Sequence, residues 1–154
     1  MTREEFALAI ERYGDMIFRV AYSCLKRRAD AEDVMQETLL KLYRTDKSFD
    51  SEEHLRFWLV RVAVNESRRA TRWYRRAVPL EDLPETEAFD RSEERELFRQ
   101  VMGLPEKYRV TVYLFYYEGY TAREIASAMG TRESTVQTRL ARARELLKKQ
   151  LREV

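Results

Sequence analysis

Glycine and proline are scarce in this chain, with only 4 Gly and 3 Pro among 154 residues. Hairpin turns, phosphate-cradling loops and sandwich connections all depend on them, so the expected fold is all-helical. The single cysteine, Cys24, excludes a disulfide framework and a Cys-based zinc site, and the single histidine, His54, excludes a His-rich metal site. No cofactor is implied. The opening residues Met1 to Glu5 form no apolar stretch of signal-peptide length, and nowhere do about 18 apolar residues run together. The expectation is a cytosolic protein with no membrane insertion. Net charge is also nearly absent: 29 Lys plus Arg stand against 27 Asp plus Glu, so any argument for a polyanionic partner has to be local.

What is present is 44% hydrophobic residues, enough for one modest domain or two very small ones. Charge separates the chain into three parts. Residues 1–75 hold 15 basic and 13 acidic side chains, 76–100 hold 4 and 8, and 101–154 hold 10 and 6. The middle part contains Pro79 and Pro84 and few large apolar residues, and reads as an acidic, partly extended connector between two helical lobes. The expected boundaries are 1–76, a linker over 77–92, and 93–154.

In the first lobe Phe6, Ile10, Tyr13, Ile17, Val20 and Cys24 recur at steps of four and three, one face of an amphipathic helix. A second helix is expected to start with Asp30 as its cap and to bury Val34, Thr38, Leu39 and Leu42. Its other side pairs Glu32 with Gln36 and Asp33 with Glu37, an acidic strip near a helix N-terminus that is either a partner surface or simply good first-turn chemistry. A third helix opens at Ser51 and shows Leu55, Trp58, Leu59 and Val62 as its apolar stripe. Arg61, Asn65, Arg68, Arg72 and Arg75 fall on a different face, flanked by Arg69 and Arg76. From Arg61 to Arg76 there are six Arg and one acid, Glu66. Surface faces usually mix signs, so this row of guanidinium forks points to phosphate oxygens. Trp73 and Tyr74 lie within the run and could stack on bases, on arginine or against the second lobe.

The second lobe begins with a helix through Glu94, Leu97, Phe98 and Val101, halted near Gly103. Pro105 suits the first position of the next helix, which is expected to bury Tyr108, Val112, Phe115 and Tyr116 and to end at Gly119. Thr121 and Glu124 make a capping box for a short helix carrying Ile125, Ala126 and Met129, stopped by Gly130. A longer basic helix follows with Val136, Leu140, Ala143 and Leu147 inward. A short helix, a tight turn and a basic helix make the pattern of a helix-turn-helix, whose second helix enters the major groove. Around the start of that helix Arg132, Glu133, Ser134, Thr135, Gln137, Thr138, Arg139 and Arg142 are of the types that read base edges or hold phosphates. A helical hairpin with no DNA role has the same outline.

The run from Asp30 to Thr38 resembles the core-polymerase-binding helix of sigma-70 family initiation factors, and Phe57 to Asn65 with Arg68 and Arg69 resembles the adjoining promoter-melting helix. Leu104, Pro105, Tyr108 and Arg109, then Tyr120, Glu124 to Ala126, Gly130, Thr135, Val136, Arg139, Leu140 and Arg142 to Arg144, are similar to the family's C-terminal helix-turn-helix. The short connector matches the compact extracytoplasmic-function group. The resemblance implies a region 2-like helical bundle and a region 4-like helix-turn-helix domain.

It also implies a non-enzymatic factor that takes core RNA polymerase to promoters, with an anti-sigma factor as a further partner and no small-molecule substrate. Asp30, Glu32, Asp33, Gln36 and Glu37 would contact the polymerase. The loop from about Arg44 to His54, with Lys47 and Phe49, would hold a flipped base of the −10 element, and Arg61, Asn65, Arg68, Arg69 and Arg72 would grip that element. Thr121 and the residues from Arg132 to Arg142 named above would serve the −35 element, and the acidic connector would thread toward the RNA exit channel.

This chain departs from the family in having Arg132 where Ser or Pro is frequent, Ser134 for Gly and Gln137 for Lys. With Arg132 in that place, Thr131 becomes the better cap for the recognition helix. Gln137 exchanges a point charge for a bidentate adenine reader. The paired aromatics with which primary sigma factors open DNA are not evident, and Trp58 is expected in the core. Two other readings fit the residues alone: a stand-alone helix-turn-helix regulator, and an enzyme acting on nucleic acid, for which no clustered site is visible.

Overall fold

A computed structural model describes the backbone of residues 1–77 and 93–152, and the side chains of 1–72 and 96–152. The expected connector beyond Ala77, with Pro79 and Pro84, lies outside the described residues, as do the side chains of Trp73, Tyr74, Arg75, Arg76 and Glu94. Among the described residues there is no strand. The chain divides into two compact units, Met1–Glu85 and Thr86–Val154.

The first unit packs α1 (Arg3–Leu25), α2 (Arg28–Arg44) and α3 (Glu52–Ala77) against one another in all three pairings. Thr2 and Glu5 close a reciprocal capping box on α1, with N–H···O distances of 3.1 and 2.8 Å. Ala9, Tyr13, Met16, Ile17, Val20 and Cys24 form its buried seam. Ile10, expected inward, is 44% exposed. A strict four-three stepping repeats every 3.5 residues, so on a helix of about 3.6 per turn the seam drifts, and Ala9 occupies the inward place at this end. Phe6 is half-buried against the ring of Tyr43, 4.8 Å between centroids.

Helix α2 buries Val34, Thr38, Leu39 and Leu42, as the periodicity predicts. Asp30 is not its cap. The helix begins earlier, at Arg28, and Asp30 lies in its first turn, paired with Arg27 at 3.1 Å. In α3 the buried face is Leu59, Val60, Ala63, Val64 and Ser67, while Trp58 and Val62 are only half-buried. The core stripe is therefore turned away from the expected one, because α3 packs against both α1 and α2. Ser51 Oγ accepts from the His54 N–H at 3.0 Å and caps the first turn.

The second unit contains α4 (Glu93–Met102), α5 (Glu106–Val112), α6 (Ala122–Met129) and α7 (Glu133–Arg152), with α7 packing against the other three. Pro105 sits one place earlier than expected, at the cap rather than the first helical residue. After α5 the chain makes a π turn over Tyr113–Tyr117, where the Glu118 N–H reaches Tyr113 O at 3.3 Å. The extra residue in that turn rotates the side chains, so Tyr113 and Leu114 are buried while Phe115 is half-buried and Tyr116 is 52% exposed, against the expectation for both. Two charged groups are buried with partners: Arg109 donates to Leu104 O at 3.1 Å, and the Tyr113 hydroxyl donates to Glu118 at 2.8 Å.

The Thr121–Glu124 capping box forms at 3.1 and 2.9 Å, and Gly130 ends α6 in the left-handed region at φ 67°. Arg132, not Thr131, precedes the first helical residue of α7; Thr131 instead donates its N–H to Ala126 O at 2.9 Å, completing the turn. A Cβ at Gly130 would meet nothing within 4 Å, so replacing it strains only the backbone. Gly130→Ala should lower unfolding free energy by about 1 kcal/mol, read as a lower urea midpoint at unchanged slope.

Candidate nucleic-acid interface

On α2 the solvent-facing strip contains Glu32, Asp33 and Gln36, all exposed, with Glu37 half-buried beside them. Asp30 is half-buried by its pairing with Arg27. The strip is thus present as a continuous acidic surface apart from Asp30, whose charge is already answered.

The segment joining α2 to α3, residues 45–51, is built around Phe49. Its half-buried ring lies 5.4 Å from His54 and 5.4 Å from Trp58, both edge-to-face. His54 Nδ1 accepts the Asp50 N–H at 3.2 Å, and the Lys47 N–H donates to Thr45 Oγ1 at 3.2 Å. Lys47 is exposed at the tip. Trp58 therefore serves this segment rather than the core; the sequence hides this, since its spacing from Leu55 and Leu59 also suits an interior stripe.

On α3, Arg61, Asn65, Arg69 and Arg72 are exposed and Arg68 is half-buried. Glu66, the acid within this row, is 8% exposed and bonded to Lys41 of α2, with Arg69 at 3.8 Å. A burial of that degree takes the carboxylate off the face, which is left with cations and one amide.

In the second unit Arg132, Glu133, Ser134, Gln137, Thr138 and Arg142 are exposed, and Thr135 and Arg139 are half-buried. Thr121 is exposed with its hydroxyl occupied by the cap. A groove of about 340 Å³ runs beside α7, lined by Ser134, Thr135, Thr138, Arg139 and Arg142 together with Lys107 and Tyr108 of α5. These last two were not singled out as site residues in the sequence. Tyr108 reads as core from its spacing, and its ring is indeed buried, but only the crossing of α5 and α7 brings its hydroxyl to Arg142. The Arg142 guanidinium beside that hydroxyl holds its pKa below the ordinary 10.0, with Lys107 adding a further downward pull against desolvation. The Lys107 ammonium stands 5.1 Å from the ring centroid. Among the described residues no group of three or more His, Cys, Asp or Glu could hold a metal ion, and no helix is long and apolar enough to cross a membrane.

Two family models match the chain in order: sigma-70 region 2 over residues 9–83 and sigma-70 region 4 over 94–147. The extracytoplasmic-function (ECF) sigma factor SigW of Bacillus subtilis is 28% identical, covering 99% of this chain and 91% of its own length. The ECF sigma-E factor of Salmonella typhimurium is 30% identical over 94% of this chain and 85% of its own. Among solved structures, RpoE of Bartonella quintana, crystallised with the anti-sigma factor NepR, superposes with a TM-score of 0.79 at 20% identity, covering 97% of this chain and 98% of that one. CnrH, solved with the cytosolic domain of CnrY, gives 0.69 at 24% identity, over 99% and 90%. The chain belongs to the sigma-70 family of RNA polymerase initiation factors, and within it to the ECF group.

Of the 9 tyrosines in the chain, Tyr108 should ionise at lower pH than an unperturbed phenol, and near-ultraviolet absorbance titration of the wild type against Tyr108→Phe should remove that early component. The sign for stability follows from linkage. A lowered phenol pKa contributes nothing below the folded value and its full amount above about pH 10, so the wild type should gain on Tyr108→Phe only under alkaline conditions.

Proposed function

We propose that this alternative sigma factor recognises promoters through three surfaces on its two units. The observation that carries this reading is the first unit's division of charge, with acids outward on α2 and guanidinium groups outward on α3. The domains follow the sequence boundaries: 1–76 for core polymerase and the −10 element, 77–92 as an acidic linker, and 93–154 for the −35 element.

Glu32, Asp33, Gln36 and Glu37, with Asp30 at the strip's edge, bind core RNA polymerase. Lys47 and Phe49 receive a flipped base of the −10 element; unstacking costs a few kcal/mol, which an aromatic pocket and phosphate contacts offset. Arg61, Asn65, Arg68, Arg69 and Arg72 hold that element's backbone and edges, and no catalytic group is required. Helix α7 lies in the major groove of the −35 element, with Gln137 and Arg142 toward base edges and Arg132, Glu133, Ser134, Thr135, Thr138 and Arg139 completing the contact, while Thr121 faces phosphate. The factor acts in the cytoplasm, where polymerase is, and an anti-sigma factor binds it, as the complex of the similar RpoE with the anti-sigma factor NepR supports.

Run-off transcription with core polymerase on a pool of promoter fragments tests the whole assignment through discrete, protein-dependent transcripts. Asp33→Lys with Glu37→Lys should leave helicity and the thermal transition unchanged, weaken core binding by about tenfold or more and abolish those transcripts. Unchanged core binding by the reversed variant would overturn the α2 assignment.

A further inference from the structure

The acid inside the arginine row of α3 calls for explanation. Glu66 lies three residues before Arg69, the spacing at which a helix pairs opposite charges, and an exposed glutamate there would occupy the guanidinium. In this chain Glu66 is turned inward and its side chain is 10% exposed, so its carboxylate has lost most of its water and needs a cation. Two cations are within reach. Lys41, on α2, is directly bonded to Glu66 Oε1, while Arg69 Nη1 stands off at 3.8 Å with 72% of its side chain exposed.

Resting on the reading of α3 as a DNA face, we propose that Lys41 is a positioning residue for nucleic acid: it neutralises Glu66 so that Arg69, which makes only the longer ion pair with that carboxylate, is left available to phosphate. Lys41 touches no DNA itself. It acts from the neighbouring helix α2, one turn beyond Glu37. Without it the desolvated carboxylate recruits the nearest remaining cation, Arg69 folds back along α3, and the face loses one guanidinium while keeping its backbone shape.

The test is fluorescence anisotropy of the full chain with a labelled single-stranded oligonucleotide of mixed sequence over a range of salt. Lys41→Met should weaken binding by about three- to tenfold and make the salt slope less negative by about 0.7, the signature of one lost phosphate contact. Lys41→Arg should match the wild type. Lys41→Met with Glu66→Gln should restore both affinity and slope, since no charge is left to capture Arg69. Arg69→Ala should weaken the wild type yet add nothing in the Lys41→Met background, a non-additivity that a purely structural role would not produce. If Lys41→Met does not fold, Lys41→Gln, whose amide still donates to Glu66 without charge, takes its place with the same expectations. An unchanged slope, or additive losses with Arg69→Ala, overturns the positioning role and leaves the α3 face standing. A wild type whose binding is insensitive to salt overturns both.

Discussion

Burial of Leu59, Val60, Ala63 and Val64 against α1 and α2 decides where every other residue of α3 can stand. A helix has one circumference, and once an apolar arc is committed to a core the remaining arc is presented to solvent as a rigid array. Arg61, Asn65, Arg69 and Arg72 are held at fixed spacing by packing that they take no part in. The same bundle turns the outer side of α2 into a separate surface of opposite sign. Two partners of opposite charge can then engage one small unit without either having to reshape it, because both surfaces are by-products of a single core.

The second unit solves a different problem, which is to turn α6 into α7 with very little chain. Gly130 supplies the left-handed turn, Thr121 and Glu124 terminate the short helix on its other side, and Val136, Leu140 and Ala143 anchor α7 from within. In the first turns of α7, Val136 and Leu140 are buried and Thr135 and Arg139 half-buried at the groove shared with α5, while Glu133, Ser134, Gln137 and Thr138 are exposed. Tyr108 links that groove to the core: the ring packs inward while the hydroxyl meets Arg142.

Much of this was legible in the residues. Strong periodicity and paired caps located the helices, and Thr121, Gly130 and Val136 outlined the helix-turn-helix because each answers a local backbone need. The outward places of the acidic strip and of the arginine row were also readable, since each set falls at helical spacing on a side away from the apolar stripe. What escaped were effects that exist only between elements. Asp30 looked like a cap because nothing local reveals that Arg27 already begins the helix turn before it. Trp58 has the spacing of a core residue, yet its ring meets Phe49 from a segment whose path no periodicity encodes. Lys107 and Tyr108 join the groove through the crossing of α5 with α7, and the tie between Lys41 and Glu66 spans two helices 25 residues apart in sequence.

The π turn at Tyr113–Tyr117 has a consequence for how this lobe tolerates change in length. An added or deleted residue in an ordinary loop is absorbed by the loop, but here one residue is the difference between a wide turn and a regular one. Removing it would restore α-helical winding and swing everything downstream by about 100° around the axis. Tyr116, which now receives the Arg144 Nε–H at 2.7 Å, would leave that partner, and the Thr121 cap would point elsewhere. A change of length in this stretch is therefore a change of direction for α6 and α7.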